Sequence, residues 1–305
     1  MPHPARRQCG AMAAHYRLLE MDPGFRGRQS RLEHATQRLA HAPARRRAPI
    51  RIPIVVHVVW REAAQNPSRR QIEGQIAVLN RDFRAKAPDR KQVPPVWRGL
   101  VADAGIEFEL ASRDPDGRPC DGVTRTRTQR ASFGTGDSVK SAKTGGADPW
   151  PSDRYLNLWV CTLTGGLLGY AQFPGGPRRT DGVVITASAF GTSGSAQPPF
   201  DRGRTTVHEI GHWLNLRHIW GDTEDCSGSD LVADTPNAAG PNYGKPRFPK
   251  VSCANGPNGD MFMNFMDYVD DAAMLLFTPE QVARMHAALQ GPRRNFLSRE
   301  RRIAR

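Results

Sequence analysis

One short stretch of the sequence holds His208, Glu209, His212 and His218. On a helix His208 and His212 lie one turn apart on one face, so two imidazoles can share one metal ion. Val207, Ile210, Trp213 and Leu214 then point into a core. A third ligand six residues past His212 is out of reach if the helix continues. The chain must therefore turn sharply, and Asn215 suits that turn because Asn tolerates a left-handed backbone. Three neutral imidazoles suit Zn2+ and leave its fourth position to a water, whose pKa the metal lowers to about 7. Glu209, beside the first ligand, is placed as the general base that takes the water proton and passes it to a leaving group. That chemistry is metal-assisted hydrolysis. A zinc-stabilised secreted binding module without turnover is the alternative, but such a site fills its fourth position with protein and needs no acid beside its first ligand.

A second segment, Asn264-Phe265-Met266-Asp267-Tyr268, follows the histidines by about fifty residues. Together the stretches HEIGHWLNLRHIWGD from His208, GSDLVADTP from Gly228, GDMFMNFMDYVDD from Gly259 and FTPEQ from Phe277 resemble the metzincin metallopeptidases. Within them they are most similar to the pappalysin family, and in particular to its short prokaryotic, ulilysin-like members. The resemblance spans roughly residues 50–290, with one further feature near the N-terminus. It implies an α+β metzincin fold: a mixed five-stranded twisted sheet, a backing helix and an active-site helix, and a loop-rich C-terminal subdomain with a Met-turn. It implies the function of a secreted zinc endopeptidase made as a zymogen.

Residue by residue, the resemblance makes Met266 a hydrophobic floor beneath the metal and Tyr268 a phenol that helps to stabilise the oxyanion. Leu167, Leu168, Gly169 and Tyr170 become the edge that pairs with an extended substrate. Asp271 becomes the acid that attracts Arg or Lys just after the cut, so cleavage falls on the N-terminal side of Arg and Lys. Cys226 and Cys253 match one family disulfide, whereas the positions of a second bridge are here Lys245 and Ala273. Cys9, in Arg6-Arg7-Gln8-Cys9-Gly10, resembles a cysteine switch whose thiolate occupies the open zinc position in a latent form. Asp230 and Thr235 correspond to calcium-binding positions of the family, with Asp234 beside them. Sequence leaves open whether Cys120 and Cys161 pair.

The elements that must hold these residues can be read coarsely. Ile50 to Trp60 is an apolar, β-branched run of strand length. Ser68 and Gln71 resemble a helix start, after which Ile72, Ile76, Leu79 and Phe83 recur at helical spacing. Further strands are expected at 106–111, 155–162, 167–173 and 183–186, and a last helix from Pro279 to about Leu289. Before residue 49 the chain is Arg-rich and helix-permissive over Arg31 to Ala40, then Pro- and Arg-rich from Ala42. The division is thus 1–48 as an inhibitory pro-segment, 49–290 as the catalytic domain (upper subdomain 49–218, lower subdomain 219–290) and 291–305 as a basic tail. If Asp271 selects Arg, then Arg45, Arg46, Arg47 and Arg51 offer self-cleavage sites at that boundary.

The formal charge of +13 invites a nucleic-acid reading. It lies entirely in the two ends: residues 1–51 carry eleven Arg against three acids, residues 291–305 six Arg against one, and 52–290 is neutral. A basic stripe on the folded body is therefore missing, and no nucleic-acid partner is expected. The expected partners are protein or peptide substrates. No apolar run is long enough to span a bilayer. A disulfide implies an oxidising compartment, although no apolar h-region follows Met1 to Gly10.

Overall fold

The computed structural model describes residues 6–40 and 48–298. Its centre is a twisted sheet built on β1 (Ile50–Trp60), buried along nearly its whole length as its unbroken apolar run requires. β2 (Ile106–Leu110) and β3 (Val123–Arg127) share one edge of β1, pairing with its first and second halves, and β4 (Leu156–Cys161) takes the other edge. β6 (Val183–Thr186) follows β4, and β5 (Gly169–Ala171) closes the sheet as its antiparallel edge. All other pairings are parallel. The sheet has six strands where five were expected, because one outer lane is broken in two. The unexpected strand, β3, reads VTRTR and is only half-buried, so it carries no apolar alternation to announce it. The expected strand 167–173 is paired only over Gly169–Ala171.

Helix α3 (Arg69–Phe83) is capped by Ser68, whose hydroxyl accepts from the Gln71 N–H, and it buries Ile72, Val78, Leu79 and Phe83 against the sheet core. Helix α4 (Arg204–Trp213) carries the histidines, and α5 (Pro279–Gln290) starts from a Thr278–Gln281 capping box. Two helices precede the sheet, α1 (Ala11–Met21) and α2 (Pro23–Ala40), where helix was expected only over Arg31 to Ala40. α1 packs on β5 and α2 on α5, so the N-terminal segment lies across both the sheet edge and the lower part of the molecule. Glu33 of α2 forms a forked ion pair with Arg284 of α5, at 2.8 and 2.9 Å. Arg284 also donates to the Asn215 carbonyl, tying that pair to the turn after α4.

Arg51 lies inside β1, paired in register with Glu107. Cutting before it would require that end of the sheet to open. Arg45, Arg46 and Arg47 lie outside the described residues, as does the basic tail beyond Ser298.

Candidate active site and metal centre

Helix α4 is fixed from below. Arg204, fully buried, pairs with Asp82 of α3 and with Asp89, and Gln75 accepts from the Thr206 hydroxyl and the Gly191 N–H. The helix ends as its sequence predicts: Asn215 adopts φ +77°, and the chain doubles back so that His218 joins His208 and His212. The three Nε2 atoms stand 3.1, 3.1 and 3.3 Å apart. A tetrahedron with zinc–nitrogen bonds of about 2.0–2.1 Å has edges of about 3.3–3.4 Å, so the spacing fits Zn2+.

Each ring is turned by its other nitrogen. Nδ1 of His208 donates to the Phe265 carbonyl at 2.7 Å, that of His212 to the Leu216 carbonyl at 2.8 Å, and that of His218 to Asp222 at 2.5 Å. These contacts leave Nε2 free to ligate. Burial, and then the neighbouring histidines, hold His208 and His212 well below the usual imidazole range, in the neutral form that a metal needs.

The fourth side chain at this centre is Cys9, whose Sγ lies with the three ring nitrogens within 4.8 Å of one another. Its thiol also donates to Glu209 Oε2 at 3.4 Å. Burial pushes the Glu209 carboxyl up to about 8. Tyr268 stacks edge-on against His218 and Trp220, and its hydroxyl accepts from the Cys9 N–H at 3.3 Å. Met266 is fully buried under α4, where Gly211 has no Cβ to obstruct it: one placed there would meet the Met266 sulfur at 2.4 Å. The reciprocal amide bonds of Asn264 and Gln281, with Asn264 accepting from the Met266 N–H, hold that turn.

Gly169 is equally constrained. A Cβ there would sit 2.7 Å from Glu209 Cγ and 2.9 Å from the Val184 carbonyl. Gly169→Ala is expected to displace Glu209 and lower peptide-cleaving kcat by about 10²-fold, the scale set by a 1 Å misplacement at a reacting centre. Zinc content should be unchanged. Steady-state kinetics beside metal analysis of the purified variant checks both.

The N-terminal segment runs along this edge. The Gln8 carbonyl accepts from the Leu168 N–H at 2.9 Å, the Gly10 N–H donates to the Gly169 carbonyl at 2.8 Å, and the pairing is parallel. Tyr170 offers the cleft only its backbone: its side chain is buried in the sheet, with the Lys140 ammonium over its ring. Asp271 is fully buried, and its Oδ2 accepts from the N–H groups of Arg202 and Arg204. Its Oδ1 takes the Arg7 guanidinium at 2.6 Å. Arg7 donates further to Thr205 Oγ1 at 3.0 Å and to the Val269 carbonyl at 3.2 Å, and lies 4.9 Å over the Phe200 ring. Thr205 and Phe200 carry no sequence signal of this role, since only the fold brings them to Asp271.

A family model described as pregnancy-associated plasma protein-A matches residues 140–290. An extracellular metalloprotease of Pyricularia oryzae is 32% identical over 251 residues, covering 79% of this chain and 76% of the relative. The chain belongs to the pappalysin family of metzincin metalloendopeptidases. Among solved structures, mature mirolysin of Tannerella forsythia in complex with a cleaved peptide is 50% identical, with a TM-score of 0.80 over 83% of this chain and 96% of that one. A promirolysin mutant of the same organism is 46% identical, with a TM-score of 0.87 over 95% and 97% of the two chains.

In this pappalysin-family chain Cys226 and Cys253 form a disulfide with Cα atoms 5.8 Å apart. Cys120 and Cys161 are both free, so they do not pair with each other. Asp230 and Thr235 come together in the loop that the bridge closes, with Thr235 Oγ1 donating to Asp230 Oδ2 at 2.7 Å. Asp234 accepts from the Thr278 hydroxyl and from the Glu280 N–H at the start of α5. No helix among the described residues is long and apolar enough to cross a membrane.

Proposed function

We propose that the chain is a secreted zinc endopeptidase held latent by its own N-terminal segment, that it cuts on the N-terminal side of Arg and, less readily, Lys, and that it releases itself by the same specificity. The observation that carries this reading is the double occupancy of the cleft: Cys9 beside His208, His212 and His218, and Arg7 in the pocket of Asp271. Bound zinc supplies Lewis-acid activation of the peptide carbonyl and of the attacking water. Around it, Glu209 accepts and returns a proton, and the Tyr268 hydroxyl, which now holds the Cys9 backbone, is free to donate to a developing oxyanion once Cys9 leaves.

Arg7 is a template for what the pocket selects. Its guanidinium is satisfied on three sides by Asp271, Thr205 and Val269, a fork that a single ammonium fills less well. At Cys9 the N-terminal segment runs parallel to β5. The sulfur stands where water would have to enter. Release by cutting at Arg45, Arg46 or Arg47 would separate residues 6–40 from the sheet. Secretion is supported by relatives named extracellular and by the disulfide, which needs an oxidising compartment. Incubation of the released enzyme with a mixed peptide library tests the specificity: new N-termini should begin with Arg, with Lys second. Cuts without that preference would remove Asp271 from its proposed role while leaving the zinc chemistry.

Calcium is the second proposed ion. Asp230 is buried, burial pushes its carboxyl up to about 7, and Thr235 Oγ1 lies between its oxygen and the Val232 carbonyl. These are hard oxygens around a buried carboxylate, which fits Ca2+. Adding calcium to zinc-loaded, calcium-free protein at about a hundredfold over Kd should raise Tm by about 5–10 °C, and Asp230→Asn should abolish the response. A Tm indifferent to calcium would remove the ion from the account.

A further inference from the structure

The apolar cluster of Ala11, Leu18, Phe25 and Phe173, bordered by Cys9, Met12 and Leu19, contains only one residue from outside the N-terminal segment, Phe173. Phe173 is 3% exposed, and its partners in the apolar cluster all come from residues 9–25. The His15 ring lies 4.9 Å from it, and His15 meets Phe25 edge-on at 5.4 Å. The Phe173 ring also stands 5.4 Å from that of His212. Departure of residues 6–40 therefore uncovers an aromatic ring beside the metal centre.

Its place along the cleft follows from the pairing of the N-terminal segment. Arg7 precedes the Gln8 and Gly10 contacts to Leu168 and Gly169, and α1 continues from Gly10 toward Phe173. The Asp271 pocket and Phe173 thus lie on opposite sides of Cys9. If the Asp271 pocket takes the residue after the cut, as the proposed function holds, Phe173 faces residues before it.

We propose that Phe173 is the platform of a substrate subsite for an aromatic side chain on the N-terminal side of the scissile bond. The N-terminal segment fills this place with rings set edge-on and tilted, the arrangement that the aromatic quadrupole favours. Burial and then Arg217 push His15 down to about 4, so it occupies the site as a neutral ring and a cationic side chain is a poor occupant. The two pockets then select different chemistry on the two sides of the cut, a guanidinium after it and an aromatic ring before it. This inference rests on the protease reading.

The test uses the released enzyme and peptides with Arg fixed after the cut, each preceding position being varied among Phe, His, Leu, Ala and Lys. At one of those positions Phe and His should exceed Ala in kcat/KM by roughly tenfold, with Lys below Ala. Phe173→Ala and Phe173→Leu should both reduce the aromatic advantage to about twofold or less, while Phe173→Tyr keeps it and all variants keep the preference for Arg after the cut. Two independent truncations guard against one that fails to fold. An Arg preference without any aromatic preference, or an aromatic preference that survives loss of the Phe173 ring, would overturn the inference and leave the protease reading standing. Absence of cleavage by the wild-type enzyme would contradict the protease reading and this inference with it.

Discussion

Glu209→Ala is expected to lower kcat/KM for peptide cleavage by about 10³- to 10⁴-fold, the contribution of a well-placed general acid–base. Glu209 is buried next to His208, packed against Gly169 with its carboxylate 3.4 Å from Cys9 Sγ. The rings are oriented through their Nδ1 atoms by Phe265, Leu216 and Asp222, not by Glu209. Removing its carboxylate should therefore spare metal binding. The variant should bind zinc as the wild type does and keep Cys9 at its N-terminus, because it cannot cut itself. Metal analysis and intact mass distinguish this from a collapsed site: loss of zinc together with activity would give Glu209 a structural role.

Asp271→Asn carries the second large effect. The carboxylate is fully buried, and among the described residues it is the one that ion-pairs with the Arg7 guanidinium. Removing one partner of a buried ion pair costs about 3–5 kcal/mol, so the advantage of Arg over Ala after the cut should fall by about 10²- to 4 × 10³-fold. The amide oxygen can still accept from the N–H groups of Arg202 and Arg204, which keeps the start of α4 in place. Peptides without Arg should accordingly be cut at rates close to wild type. Equal losses for all peptides would show that Asp271 supports α4 rather than selecting substrate. The same change weakens the hold on Arg7, so the full-length variant should release its N-terminal segment more readily.

What the sequence discloses follows the physics of each element. The α4 histidines are legible because a metal dictates residue type and spacing together, and Asn215 is legible because few residues accept a left-handed turn. The start of α5 is legible because Thr278, Pro279 and Gln281 are all local signals of a helix N-terminus. β3 stays hidden because an exposed edge of alternating Thr and Arg has no apolar period. α1 is hidden for a related reason: its buried face is Ala11, Ala14, His15 and Leu18, too small and too polar to stand out, and its partner surface is supplied by Phe173 far along the chain. The pocket around Asp271 is half legible. Its acid is marked by the resemblance, but Thr205 and Phe200 meet a guanidinium about two hundred residues away in sequence, and no local pattern encodes a contact of that range.

The central claim is that one N-terminal segment holds both the metal centre and the specificity pocket closed. The most direct measurement follows the purified full-length, zinc-loaded chain over time, recording intact mass and cleavage of an Arg-containing peptide in the same samples. The account predicts that activity rises only as chains lacking Cys9 accumulate, with the mature N-terminus generated at Arg45, Arg46 or Arg47. Full activity from chains that still carry Arg7 and Cys9 would contradict it.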